Sequence, residues 1–247
     1  MLTAEVYFLI PLIFLAAMLF SSVGHGGASA YLAAMALMNV APASMRPAAL
    51  VLNILVASIA IYKFYRADAF SWRLFVPLSI ASVPAAFIGG LVSLPNHFYK
   101  PIVGLVLIFA AWHIFIQAKK PYAVNQSAAK TSVLLGVGAI LGLLSGLTGI
   151  GGGVFLSPIL LFYKWAETKV ISGVAAAFIL MNSIAGLIGV LSKQPNLPAA
   201  LPYWAVAAVI GGLIGAEYGS RRLTNPSIRK LLALVLLLAG GKMMLAG

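Results

Sequence analysis

Of 247 residues, 62% are hydrophobic and only 8% charged, with a mean hydropathy of +1.06. That composition excludes an ordinary soluble domain and makes the chain an integral membrane protein. Sixteen Lys and Arg against four acids give a net charge of +12, and the absence of cysteine removes disulfides, thiol nucleophiles and Cys-ligated metals together.

In chain order the apolar segments are Val6–Phe20, Ala28–Val40, Pro47–Tyr62, Trp72–Val92, Tyr99–Gln117, Thr131–Leu144, Val154–Tyr163, Val170–Leu191, Ala199–Gly219 and Ser227–Leu245. The first has Glu5 and no basic stretch ahead of it, so it is expected to be a membrane element and not a cleaved signal peptide. The basic residues fall mostly between segments, where they attract anionic headgroups and solutes or simply anchor helix ends. A bilayer core of about 30 Å takes about 20 helical residues to cross. Most segments reach that length, but those beside two glycine clusters are short.

The clusters are Ser22-Val23-Gly24-His25-Gly26-Gly27-Ala28 and Ser145-Gly146-Leu147-Thr148-Gly149-Ile150-Gly151-Gly152-Gly153. Glycine weakens a helix by roughly 1 kcal/mol per residue and bares the backbone. Each cluster therefore breaks its segment, giving either one interrupted helix or a re-entrant hairpin, and lipid tolerates both only where the irregular backbone is buried or faces a cavity. Eight crossings would make the two halves parallel, whereas a hairpin at each break would leave an odd number per half and invert them. If each broken pair is one crossing, Lys and Arg counts in alternate loops are nearly equal, so the positive-inside rule does not choose.

Gly24-His25-Gly26-Gly27 matches Gly149-Ile150-Gly151-Gly152 at a shift of 125. In the same order, Leu52-Asn53 with Ser58 parallels Met181-Asn182-Ser183, Pro77 and Gly90 parallel Pro202 and Gly215, and Lys100 parallels Lys230. The expected fold is an all-α integral membrane protein of two homologous halves, about four membrane helices each, whose broken helices or hairpins meet near the midplane. The halves are 1–118 and 131–247, joined by a polar linker at 119–130. Duplicated halves with broken helices in corresponding places point to a transporter with its site between the repeats.

The start of a half-helix offers free N–H groups and about half a unit of positive charge, which suits an anion. Candidate contacts are the backbones of Gly24, Gly26, Gly27, Gly149, Gly151, Gly152 and Gly153, with Ser29 and Thr148 as hydroxyl donors. Asn53, Asn182 and Ser183 lie inside apolar segments, where a polar side chain is either an interhelical tie or a ligand contact. His25 is placed to donate to an anion, to carry a coupled proton or to be a satisfied structural side chain. His97 and His113 read as interfacial, and Glu217 as an i,i+4 partner of Arg221. Arg46 and Lys169 each precede an Asn-bearing segment, as anion funnels or as helix-end anchors.

Gly149 to Pro158, with Trp165-Ala166-Glu167-Thr168-Lys169, Ala176 to Gly186 and Gly215-Ala216-Glu217-Tyr218-Gly219-Ser220-Arg221, resembles the sulfite exporter TauE/SafE family of bacterial permeases. The resemblance covers nearly the whole chain. It implies a multi-pass inner-membrane carrier for sulfite, organosulfonates or related small anions, with no cofactor, metal or nucleic-acid partner, and leaves a homodimer open. The first break differs from the second at His25 and Ala28, which stand against Ile150 and Gly153. An anion channel and an intramembrane serine protease, the latter pairing His25 with Ser29 or using Ser145, are the alternatives. The sequence has no HExxH and no paired Asp for other intramembrane enzymes.

Overall fold

The computed structural model describes residues 4–117, 129–193 and 197–221, together with isolated positions at 237, 241, 244 and 245. The described residues form nine helices and no strand. They are α1 (Ala4–Ser21), α2 (Ala28–Leu37), α3 (Pro42–Arg66), α4 (Trp72–Leu91), α5 (Asn96–Gln117), α6 (Thr131–Thr148), α7 (Gly153–Phe162), α8 (Thr168–Leu191) and α9 (Leu201–Arg221). Five of them, α3, α4, α6, α8 and α9, are long and apolar enough to cross a bilayer. The protein is thus an all-helical, multi-pass membrane protein. The expected last segment, Ser227–Leu245, and most of the linker at 119–130 lie outside the described residues.

Lipid offers no partner to an open backbone N–H or C=O, so only helices or a closed barrel can span it, and the long continuous apolar segments select helices. Their association relies on small residues. A Cβ on Gly138, Gly142 or Gly146 of α6 would strike the backbone carbonyl of Leu78, Ser82 or Ala86 of α4 in turn. On the other side, Gly211 and Gly215 of α9 lie in the same way against Phe14 and Met18 of α1, and Gly219 against Ser22 just past its end. Such close backbone approach is how helices gain contact area in lipid. The isolated glycine Gly136, by contrast, has nothing within 4 Å of a would-be Cβ.

These ladders also give direction. Residue numbers rise together, so α1 runs with α9 and α6 runs with α4. Val56 meets Gly212 and Lys63 meets Glu217, so α3 also runs with α9, and therefore with α1. Between them, α2 begins beside Asn53 and ends just before Pro42, running against α3. The chain therefore reverses at the first break. The second break does the same: α8 is antiparallel to α3, through Asn53 with Ser183 and Phe64 with Gly173, and so runs with α4 and α6. Meanwhile α7 starts beside Ile179, midway along α8, and ends before α8 begins. Each break is a re-entrant hairpin, and the two hairpins enter from opposite faces.

Both half-helices end alike. Asn39 and Lys164 take φ of 56° and 55°, and the Val40 N–H to Met35 C=O bond recurs as Trp165 N–H to Leu160 C=O. This is a left-handed helix stop that satisfies the last carbonyls before α3 and α8. Those two helices fill the middle of the molecule, with Leu50, Leu52, Val56, Val174, Phe178 and Ile179 buried. Outward faces are apolar, as at Ile80, Leu105, Ile140 and Val206, and aromatic side chains such as Tyr65, Trp72 and Tyr163 gather at the face where α3 ends.

Candidate functional site

The two breaks bring the starts of α2 and α7 to mid-molecule. Gly27 and Gly152 are their N-caps, with φ of 94° and 75°, and as glycines neither supplies a side-chain cap to its own helix. Left-handed backbone costs an L-residue roughly 1–2 kcal/mol. In addition, a Cβ would meet the Tyr31 ring at 2.7 Å or Phe178 at 2.9 Å, so glycine is required at both. Gly24, Gly149 and Gly151 share the left-handed region, with φ of 75°, 81° and 82°.

Asn53, fully buried on α3, joins the breaks. Its Oδ1 accepts the Ala28 N–H at 3.1 Å, and its Nδ2 donates to the Ile150 carbonyl at 3.2 Å and toward Ser183 Oγ at 3.4 Å. A Cβ on Gly26 would collide with Asn53 Oδ1 and touch Ile179; one on Gly151 would meet Asn53 Nδ2 at 2.6 Å and Ile179 at 2.9 Å. Both loops are thus wrapped on the same two side chains. Asn53 emerges as a clamp whose amide is committed to protein atoms.

Asn182 behaves otherwise. Its amide donates to Phe178 C=O of its own helix at 2.7 Å, and the residue facing the loops across from Asn53 is Ile179. A motif comparison pairs the two asparagines because it sees residue type; the face of α8 that meets the breaks decides differently. Ser183, fully buried, does reach the cluster.

His25 spans to the opposite half. Its Nε2 lies 3.2 Å from the Gly153 carbonyl and 3.0 Å from Ser157 Oγ, with the ring edge-on to Phe20. With a proton on Nε2 the ring donates to Gly153 C=O; without it, Ser157 donates to the ring. Ser157 is a residue that sequence reading missed, and its one signal is a hydroxyl one turn into an otherwise apolar half-helix. The Ser–His contact falls on it and not on Ser29 or Ser145, whose buried hydroxyls have no protein partner. Thr148 donates to Leu144 C=O at 2.7 Å and accepts the Ile150 N–H at 3.3 Å, closing α6.

Of the charged candidates, Arg46 is 8% exposed and anchors helix ends. Its Nε donates to Gly146 C=O at 2.9 Å, Nη1 to Val92 C=O at 2.9 Å, and Nη2 to the carbonyls of Gly89 and Gly90 at 2.6 and 3.0 Å. A cation at the C-terminal ends of α4 and α6 meets their negative dipole ends. Lys169 is exposed. Glu217 forms its ion pair with Lys63 of α3, where Arg221 was the expected partner; the Arg221 side chain lies outside the described residues. His97 is exposed and packs on Phe98 at the start of α5, as an interfacial residue does, while the His113 side chain also lies outside the described residues. Among the described residues no group of His, Asp and Glu is placed to hold a metal.

The central cluster consists of two half-helix starts, hydroxyls, one imidazole and amides. The acids Asp68, Glu167 and Glu217 sit at or beside helix ends, away from it. The arrangement can stabilise negative charge at the two helix starts and offers a cation only neutral oxygens and an imidazole, with no carboxylate among the described residues of the cluster.

Comparison with known proteins agrees with the membrane architecture. The family model described as Sulfite exporter TauE/SafE matches residues 9–243. "Probable membrane transporter protein y4hK" of Sinorhizobium fredii is 39% identical over 234 residues, covering 94% of this chain and 95% of its own. "Probable membrane transporter protein MJ0441" of Methanocaldococcus jannaschii is 26% identical over 141 residues, 55% of this chain and 51% of its own. No solved structure matches the chain. With a family match across nearly its whole length and a near full-length relative, the chain belongs to the sulfite exporter TauE/SafE family and is a membrane transporter, not an enzyme.

Proposed function

We propose that this transporter is a secondary carrier for small anions, sulfite or organosulfonates and related sulfur oxyanions, which it binds where α2 and α7 begin. The observation that carries this reading is the meeting of two half-helix starts with glycine N-caps, entering from opposite faces, around Asn53, which takes only the first N–H of α2, Ile179 and the His25–Ser157 contact. Each start presents about half a positive unit charge, so the pair matches one negative charge in low dielectric. Ser29, buried in the first turn of α2, adds a hydroxyl that has no protein partner.

The carrier is built from two homologous halves of opposite orientation, 1–118 and 131–247. Supporting this are the recurrence of the left-handed glycines at Gly24 with Gly149 and Gly27 with Gly152, and of the identical stops at Asn39 and Lys164. Inverted repeats of this kind expose a midplane site alternately to each face as one hairpin and its bundle rock against the other.

The test is flux. Purified protein in proteoliposomes should take up sulfite or sulfoacetate saturably and show counterflow when preloaded. Saturable uptake of Na⁺ or a polyamine without anion dependence would show that the sign is wrong, and non-saturating anion current without counterflow would make the protein a channel.

A further inference from the structure

A cavity of about 120 Å³ opens where α3 begins, away from the central cluster, and its walls include Pro42, Ala43, Arg46, Ser93, Leu94 and Tyr99. That is many times the ~10–15 Å³ needed to admit one water on the same measure, so a small polyatomic ion fits. The Arg46 partners described above are carbonyls at the ends of α4 and α6, whose dipoles offset part of its charge without cancelling it, and the described acid side chains, Asp68, Glu167 and Glu217, belong to the opposite face. The first turn of α3 lines the same cavity and has no side-chain cap, so a helix's positive end adds to the guanidinium. The stem of Arg46 also touches the second break: a Cβ on Gly149 would lie 3.0 Å from Arg46 Cγ. The matching glycine of the first break, Gly24, packs instead on Ser172 at the other face. One face of the molecule therefore has an arginine between a solvent-side cavity and a break, and at the other the break packs on helix backbone.

We propose that this cavity is an oxyanion site at one face of the membrane, distinct from the midplane site, with Arg46 and the start of α3 as its positive walls. It rests on the anion-carrier reading for its ligand class and gives the carrier a loading station on one side only. The bound group is a sulfonate, sulfate-like ion or, from the lipid, a headgroup phosphate.

Because the chain has no cysteine, Ser93→Cys makes a single reporter on the cavity's exposed rim. In phosphatidylcholine nanodiscs at low salt, with each rate divided by that reagent's rate on a free thiol in solution, an anionic sulfonatoethyl methanethiosulfonate should label it about tenfold faster than the cationic trimethylammonium analogue. Sulfoacetate should slow that labelling, and Arg46→Gln should erase both effects. Equal rates for the two reagents, or a preference that survives in folded Arg46→Gln protein, would overturn the proposal. Should Arg46→Gln fail to fold by size-exclusion chromatography, Leu94→Trp decides: it fills the cavity with Arg46 intact, so sulfoacetate protection must vanish, and retained protection overturns the site. Labelling slowed by phosphatidylglycerol but not by sulfoacetate would assign the cavity to a headgroup and overturn the loading role. Flux measured on the same preparations separates the two readings. Absent anion flux with intact protection sinks the carrier alone, whereas normal flux without protection sinks this site alone.

Discussion

Replacing Asn53 with Ala tests whether one amide holds both re-entrant loops. The substitution removes two well-formed hydrogen bonds, at 3.1 and 3.2 Å, and a third at 3.4 Å that is too long to count for much. It strands the Ala28 N–H and the Ile150 carbonyl in a fully buried setting, at about 1–3 kcal/mol for each unsatisfied group. Polar ties inside membranes measure nearer 0.6 kcal/mol on average, since the unfolded chain also finds partners there. Weighing the two, the expected loss is about 2–4 kcal/mol, and the cavity left by the side chain adds to it. For a chain of this size that lowers the detergent melting temperature by about 4 to 15 °C. Ser183→Ala, which removes only the long contact, should shift it by less than about 2 °C. Transport by Asn53→Ala should fall along with stability, because the starts of α2 and α7 lose their common fixture. An Asn53→Ala protein that melts with the parent and transports normally would show that the loops are held by something else.

The remaining expectations concern glycine and charge. Gly27→Val and Gly152→Val should abolish flux, with a strain of at least about 1–2 kcal/mol from the left-handed backbone alone, while the protein still inserts in membranes; normal flux would make the breaks mere packing. Gly142→Leu drives a side chain into the Ser82 carbonyl and should cost about 3 kcal/mol or more, read as loss of the monodisperse peak, whereas Gly136→Ala should melt within about 2 °C of the parent. Glu217→Gln removes a half-exposed ion pair with Lys63, so stability should change by no more than about 1 kcal/mol and flux should keep its pH profile; a flattened profile would make Glu217 a proton-coupling group.

Composition by itself settled the solvent, and the long unbroken apolar segments settled the secondary structure, because about 20 continuous apolar residues suit a spanning helix and not the short alternating strand of a barrel. The positions of both breaks, and the family, were equally legible: glycine runs inside apolar segments have a strong local effect that needs no tertiary knowledge. The direction taken after each break was not. It depends on contacts such as Phe14 with Gly211 and Leu78 with Gly138, tens to hundreds of residues apart, and the loop charges divide evenly only if each break is read as a single crossing; with hairpins Lys63, Arg66, Arg73, Lys130, Lys164 and Lys169 share one face. The same limit explains Asn53 and Asn182, which look equivalent in sequence. One faces the breaks and ties them, while the other turns its amide back to Phe178, because the α8 residue facing the breaks is Ile179. His25 was visible as a candidate, but its partner Ser157 lies 132 positions on, and only two hairpins entering from opposite faces bring them together. Arg46 could be read as a funnel or an anchor until packing placed its guanidinium on the ends of α4 and α6, since a side chain's partners are set by which helix ends converge on it.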